Sequence, residues 1–281
     1  MIVITGATGN VGRALAAQLT AVEAPVRALT RDPLRARLPT GAEAARFDPA
    51  AEPADLAPLF DGASALFLHA AAVGEHGDAV LAAAREGGVR HVVMLSSGII
   101  AKGADETNPI YVMHADLEER VRRSGLAPTF LRPNAFATNS FQWAEQIRAG
   151  DTVRGPFAGA LTAPIHEADI AAVAARALLD DGHRGLAHRL TGPAAVSTEE
   201  QIHAIGQALG RDLQFVEVPP EDVTADMFPH VPAGMLPAIL AAFAATVGVA
   251  PEITSTVETV TGTPARTFTE WAGDHADDFR A

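Results

Sequence analysis

Short β-branched and apolar runs alternate with stretches of helical spacing through the first half of the chain. Runs at 2–5, 26–30, 44–47, 65–68, 91–96 and 129–132 read as strands. Between them, 11–22, 54–60, 77–86 and 109–124 carry apolar residues at helical intervals. That alternation predicts a parallel sheet covered on both faces by helices. Ligands of such sheets sit beyond the carboxyl ends of the strands, so residues just past each strand are the first candidates for chemistry.

Beyond about residue 150 the spacing loosens. Helices are expected at 167–181 and 198–209, and short strands at 186–190 and 214–218. The stretch 235–247 sets Met235, Leu236, Ile239, Leu240, Phe243 and Val247 at helical intervals, and Pro219, Pro220, Pro229, Pro232 and Pro237 punctuate its approach. The expected fold class is α/β. A Rossmann-like doubly wound sheet would occupy residues 1–150, with a smaller α/β cap for substrate in 151–281 and some cap segments returning to the sheet.

The end of the first strand carries Thr5-Gly6-Ala7-Thr8-Gly9-Asn10-Val11-Gly12-Arg13 and runs into a helix. Strand, glycine loop and helix together make the context of a dinucleotide site. Gly6 allows the tight turn, while Gly9 and Gly12 allow close approach of backbone to pyrophosphate and of helix to sheet. The helix start offers unsatisfied N–H groups and a positive dipole end to phosphate. Gly6, Thr8, Gly9, Asn10, Val11, Gly12 and Arg13 are therefore candidate cofactor contacts.

Composition narrows the partners. A formal charge of −13 argues against nucleic acid and against an anionic membrane surface. No uninterrupted apolar stretch reaches the length of a membrane span. The chain has no cysteine, which removes disulfides, thiolate nucleophiles and cysteine metal sites. Strand-like residues begin at Ile2, so no signal peptide is expected and the expected location is the cytoplasm. His166-Glu167 with Asp169 lacks the spacing of a zinc helix, and no metal site is expected. Neither a G-x-S-x-G elbow nor a phosphate-loop Gly-Lys-[Ser/Thr] occurs, which disfavours hydrolases and excludes P-loop kinases.

The second strand ends in Thr30-Arg31-Asp32-Pro33. An acidic residue there suits the ribose hydroxyls of NAD, whereas arginine suits the 2′-phosphate of NADP. Arg31, helped by Arg13, points to NADP(H) in preference to NAD(H). Asp32 reads either as the ribose acid or as a helix N-cap ahead of Pro33.

Several segments together resemble the NmrA-like, atypical branch of the short-chain dehydrogenase/reductases. They include the glycine loop, Thr30-Arg31-Asp32-Pro33, Met94-Leu95-Ser96-Ser97-Gly98, His114-Ala115-Asp116-Leu117-Glu118 and Leu131-Arg132-Pro133-Asn134-Ala135-Phe136. Leu190-Thr191-Gly192-Pro193 and the tail from Thr261 to Trp271 extend the likeness almost end to end. The resemblance implies that Phe47-Asp48 borders the adenine and that His69 passes near the phosphates and ribose. It likewise implies Ser96 and Ser97 near the nicotinamide, and Pro133, Asn134 and Phe136 on its carboxamide side. Each also reads as a loop residue, Asp48 as a turn former. The family contains quinone and other reductases beside regulators that only sense nucleotide.

Standard members of the superfamily use Tyr-x-x-x-Lys with a serine, the lysine lowering the tyrosine pKa. Here Ala115 stands four residues after Tyr111, the only tyrosine, and the only lysine is Lys102 upstream. The dyad is absent. His114 and Glu118 are four apart on the 109–124 helix, so Glu118 is expected to orient His114. His114 would then donate a proton or hold the substrate oxygen, assisted by Ser97 or Tyr111. The plainer reading is a helix-surface pair.

Direct hydride transfer to an electron-poor ring asks little of protein groups. The expected function is NADP(H)-dependent hydride transfer to a small hydrophobic acceptor such as a quinone, enone or aromatic carbonyl. The alternatives are a non-catalytic NADP(H) sensor and a redox-neutral isomerase or dehydratase with bound cofactor. Residues 235–247 and 136–141 would line a hydrophobic pocket, or else form cap core or a homodimer contact.

Overall fold

Seven parallel strands form the central sheet: β1 (Ile2–Ile4), β2 (Val26–Thr30), β3 (Ala42–Arg46), β4 (Ala65–His69), β5 (His91–Leu95), β6 (Ala127–Pro133) and β7 (Ala187–Leu190), ordered β7-β6-β5-β4-β1-β2-β3. The computed structural model describes residues 1–101, 104–228, 231 and 233–280; Lys102, Pro229 and Pro232 therefore lie outside the described residues. The chain divides into two compact units. The first is Met1–Pro133, Glu167–Leu190 and Thr256–Thr263; the second is Asn134–His166, Thr191–Ser255 and Pro264–Ala281.

In the first unit β1, β4 and β5 are buried almost throughout, as strands covered on both faces must be. Edge strand β3 is instead largely open to solvent. The main helices are α1 (Asn10–Ala21), α2 (Gly77–Glu86), α3 (Pro109–Arg123) and α4 (Glu167–Leu179). Helix α1 packs on α4, and Gln18 Nε2 donates to the Ala168 carbonyl at 2.9 Å. Helix α3 starts on schedule because Asn108 Oδ1 accepts from Ile110 N–H at 2.9 Å and Pro109 occupies the first helical position. Strand β1 pairs with β2 on one side and β4 on the other, so the winding direction reverses between β1 and β4.

Three expectations need correction. The helix foreseen at 54–60 breaks into an α turn, Pro53–Leu56, and a 3₁₀ turn, Ala57–Phe60. Pro58 has no N–H for the α pattern, yet Leu56 and Phe60 still reach the core. The chain leaves the sheet unit after Pro133 rather than near residue 150, because Ala135–Phe136 pairs with Pro164–Ile165 within the second unit. In that unit Ala144 and Ile147 share a core with Trp143, Ile202, Ile205, Phe268 and Trp271. Phe141 joins it, its ring 5.2 Å from Trp271 and 5.6 Å from Phe279. Within 235–247, the helix Leu236–Ala244 has no buried residue, so this segment is not cap core.

At the amino end of β5, His91 is buried and fixed in one tautomer. Thr129 gives its hydroxyl proton to the His183 carbonyl at 2.7 Å, so its oxygen accepts from His91 Nε2–H at 2.9 Å. Burial foremost, then the Arg184 charge, pushes the His91 pKa from 6.5 down to about 4. The unfolded chain takes up this proton below about pH 6.5 while the folded chain refuses it until about pH 4. Stability is therefore expected to fall across that window by about 3 kcal/mol from this group. Denaturant titrations at stepped pH measure the slope. His91→Gln, which keeps an N–H donor, flattens it; an unchanged slope in that variant would contradict the assignment.

Candidate cofactor and active site

The glycine loop is held by sterics and by its own backbone. Gly6 has a φ of 65°, which a side chain rarely adopts, and a Cβ there would press the His69 ring at 3.1–3.2 Å. At Gly12 the exclusion is absolute: a Cβ would lie 2.2 Å from the Gly6 carbonyl oxygen. Gly9 N–H donates to Gly6 O at 3.0 Å and Arg13 N–H to Gly9 O at 2.9 Å. Gly9 is the N-cap of α1, with no side-chain cap and no acidic residue in the first turn. The helix start thus presents N–H groups and a positive end that an anion can take.

Thr5 braces this loop to β4. Its hydroxyl donates to Phe67 O at 3.1 Å and accepts from His69 N–H at 2.8 Å. Beyond the two strand ends lies a cavity of about 390 Å³ in the first unit. Gly6, Thr8 and Gly9 line it at the loop, Leu29, Thr30 and Arg31 at the end of β2, and His69 at the end of β4. Gly6, Gly9 and His69, each named from the sequence, line it together. Phe47, Pro49, Ala71 and Ala72 complete the wall; of these only Phe47 was foreseen, because small apolar residues carry no signal of their own.

Charge at the end of β2 is divided between two roles. Arg31 is exposed on the cavity wall. Asp32 is occupied: its Oδ1 accepts from Leu34 and Arg35 N–H at 3.2 and 3.4 Å, and Oδ2 pairs with Arg35 at 3.6 Å. It caps a turn, though no helix follows, and this capping competes with a ribose role. Arg13 is exposed on α1 and is not among the residues lining the cavity. Asp48 is exposed and accepts from Ala50 N–H at 3.0 Å, acting as a turn former while Phe47 supplies the wall.

A second group gathers at the ends of β5 and β6. Ser96 is buried, and its hydroxyl donates inward to Glu118 Oε1 at 2.7 Å. Ser97 is half-buried, with Oγ accepting from Ile99 N–H at 3.3 Å. The next residue, Gly98, donates to Pro133 O at 2.7 Å, which joins the two strand ends. Asn134 and Phe136 fall in the second unit, where the Phe136 backbone pairs with Ile165.

The expected His114–Glu118 hydrogen bond is not formed. Glu118 instead takes Ser96, Arg122 and Arg132, because two guanidinium groups satisfy a buried carboxylate better than one imidazole. His114 Nδ1 is buried with no hydrogen-bond partner among the described residues, and so is His69 Nδ1. Burial holds both imidazoles below the usual histidine range; for His114 the nearby His69 adds to the effect and the Glu118 charge opposes it. Both rings are neutral at pH 7. Tyr111 donates to Glu106 at 3.4 Å, and its pKa is raised, first by burial and then by Glu106. That is the reverse of the lowering a Tyr–Lys dyad produces. The network of Glu118 with Arg122 and Arg132 was not foreseen; only the i,i+4 spacing of Glu118 and Arg122 hinted at it.

Comparison with known proteins agrees with this geometry. Residues 6–181 match the model of a family described as NAD(P)H-binding. A (4-alkanoyl-5-oxo-2,5-dihydrofuran-3-yl)methyl phosphate reductase from Streptomyces griseus is 36% identical over 99% of both chains. An NAD(P)H azoreductase from Xenophilus azovorans is 33% identical, covering 100% of each. Among solved structures, the Escherichia coli NADPH-dependent quinone oxidoreductase QOR2 in complex with NADPH superposes with a TM-score of 0.80 at 22% identity, covering 98% of this chain and 99% of that one. The chain belongs to the family described as NAD(P)H-binding. Its class is that of the NAD(P)H-dependent oxidoreductases. No helix among the described residues is long and apolar enough to cross a membrane.

The residues present fit a dinucleotide, since the cradle at Gly6 and Gly12 tolerates no Cβ. Gly12→Ala is expected to displace α1 from the loop and weaken NADPH binding by about a hundredfold or more. Titration of NADPH fluorescence checks this, with far-ultraviolet circular dichroism confirming that the variant is folded. Wild-type affinity in a folded variant would remove the loop from the binding site.

Proposed function

We propose that the protein transfers hydride from NADPH to a small, hydrophobic, electron-poor acceptor: a quinone, an enone or an aromatic carbonyl. The observation that carries this reading is the pairing of a cofactor crevice with neutral, unpartnered imidazoles in place of a Tyr–Lys dyad. When bound, the reduced nicotinamide supplies the hydride. Arg31 holds the 2′-phosphate, the N–H groups at the start of α1 hold the pyrophosphate, and His69 borders the phosphates and ribose. His114, neutral, offers an N–H to the acceptor oxygen as negative charge develops there, assisted by Ser97. An acceptor whose reduced form is a stabilised anion needs no more than this. The reductase and azoreductase names of the two relatives support a reductive role.

NADP(H) is preferred to NAD(H) in this reading because Arg31 faces the cavity and Asp32 is held in its own turn. A nucleotide sensor is the second reading, favoured by the Tyr111 hydroxyl being held by Glu106.

The test follows NADPH oxidation against quinones, enones, aldehydes and ketones, with NADH in parallel. Turnover is expected with quinones or enones and NADPH. Tight NADPH binding without turnover of any acceptor would move the assignment to the sensor. Arg31→Ala is expected to raise the KM for NADPH about tenfold to a hundredfold and leave that for NADH nearly unchanged. Equal effects on both cofactors would deny Arg31 the phosphate. His114→Ala is expected to lower kcat about tenfold to a hundredfold without changing the NADPH Kd. A wild-type kcat in that variant would remove His114 from the reaction.

A further inference from the structure

Glu118 lies one turn beyond His114 on α3, and its side chain is 1% exposed. Ser96 Oγ donates to Oε1 at 2.7 Å, and Arg132 straddles the carboxylate, Nε to Oε1 at 2.9 Å and Nη2 to Oε2 at 2.6 Å. Arg122 Nη2 adds a fourth bond to Oε2 at 2.6 Å, its guanidinium 4.7 Å above the Phe130 ring of β6. Both oxygens are filled, by residues from three elements: the end of β5, the end of β6 and α3 itself. A buried carboxylate stripped of such partners is strongly unfavourable, so these elements are held in the arrangement that satisfies it.

We propose that Glu118 is a positioning residue for hydride transfer: it clamps α3, which carries His114, to the end of β5, which carries Ser97, and to the end of β6. This rests on the reading that the nicotinamide lies at those strand ends. Two separate effects reach His114. The clamp places its ring, and the Glu118 charge counters the burial and the neighbouring His69 that together depress its pKa. Arg122 and Arg132 are the cations facing Glu118, and Ser96 is its neutral partner.

Glu118→Gln removes the charge and keeps the size. Its kcat is expected to fall at least about tenfold, with the NADPH Kd within about twofold of wild type. The His114 imidazole, followed by NMR, is expected to titrate at a lower pH than in wild type. A purely structural role would change the denaturation midpoint but neither of these. Ser96→Ala, a small change that leaves the charge in place, is expected to lower kcat severalfold with the His114 titration unmoved.

Wild-type kcat and wild-type His114 titration in Glu118→Gln would overturn the proposal. Should that variant not fold, an unchanged kcat in Ser96→Ala would do so. The titration needs no acceptor. A wild-type protein that turns over nothing therefore defeats the hydride-transfer reading, and the His114 shift alone then decides whether Glu118 governs that histidine.

Discussion

The absence of a side chain at residue 12 governs this fold's working end. With hydrogen in place of Cβ, the first turn of α1 comes down onto the Gly6 carbonyl, where a methyl group would stand at 2.2 Å. That contact decides the angle at which α1 leaves the sheet, and hence where its uncapped N–H groups aim. Thr5 then ties the loop to β4, which fixes the crevice between the strand ends. Preorganisation of this kind lowers the ordering cost of binding.

Electrostatics inside the first unit follow a different logic from the acidic composition. Burial leaves His69, His91 and His114 neutral, each with its pKa pushed down by desolvation first. Glu118 stays charged in the same interior because two arginines and a serine replace its water. Its carboxylate is held below the usual range by those bonds and charges, against the burial that would raise it. The ends of β5 and β6 thus combine a satisfied carboxylate with an imidazole that has kept an unpaired nitrogen.

The two units differ in how they gain stability. The first relies on strands buried on both faces. The second relies on short pairings around an aromatic core of Phe141, Phe268, Trp271 and Phe279, with the capping box of Ser197 and Glu200 starting the helix Thr198–Leu209. Its helix Leu236–Ala244 is apolar yet has no buried residue.

Much of this was readable in the linear chain, because it depends on neighbours in sequence. A glycine's freedom, helical spacing of apolar residues and an apolar run between turns act over a few residues. The strands, α1, α3 and the nucleotide loop followed from them. Pro58 carries the break of the 54–60 segment in its own chemistry, since it has no N–H to continue an α-helix. Other features exist only after folding. The partners of Glu118, the tautomer of His91 and the exit from the sheet at Pro133 each depend on which groups meet and which are cut off from water. Spacing along the helix allowed His114 and Glu118 to bond. Burial beside Arg122 and Arg132 gave the carboxylate stronger partners, and only the packed structure could make that choice.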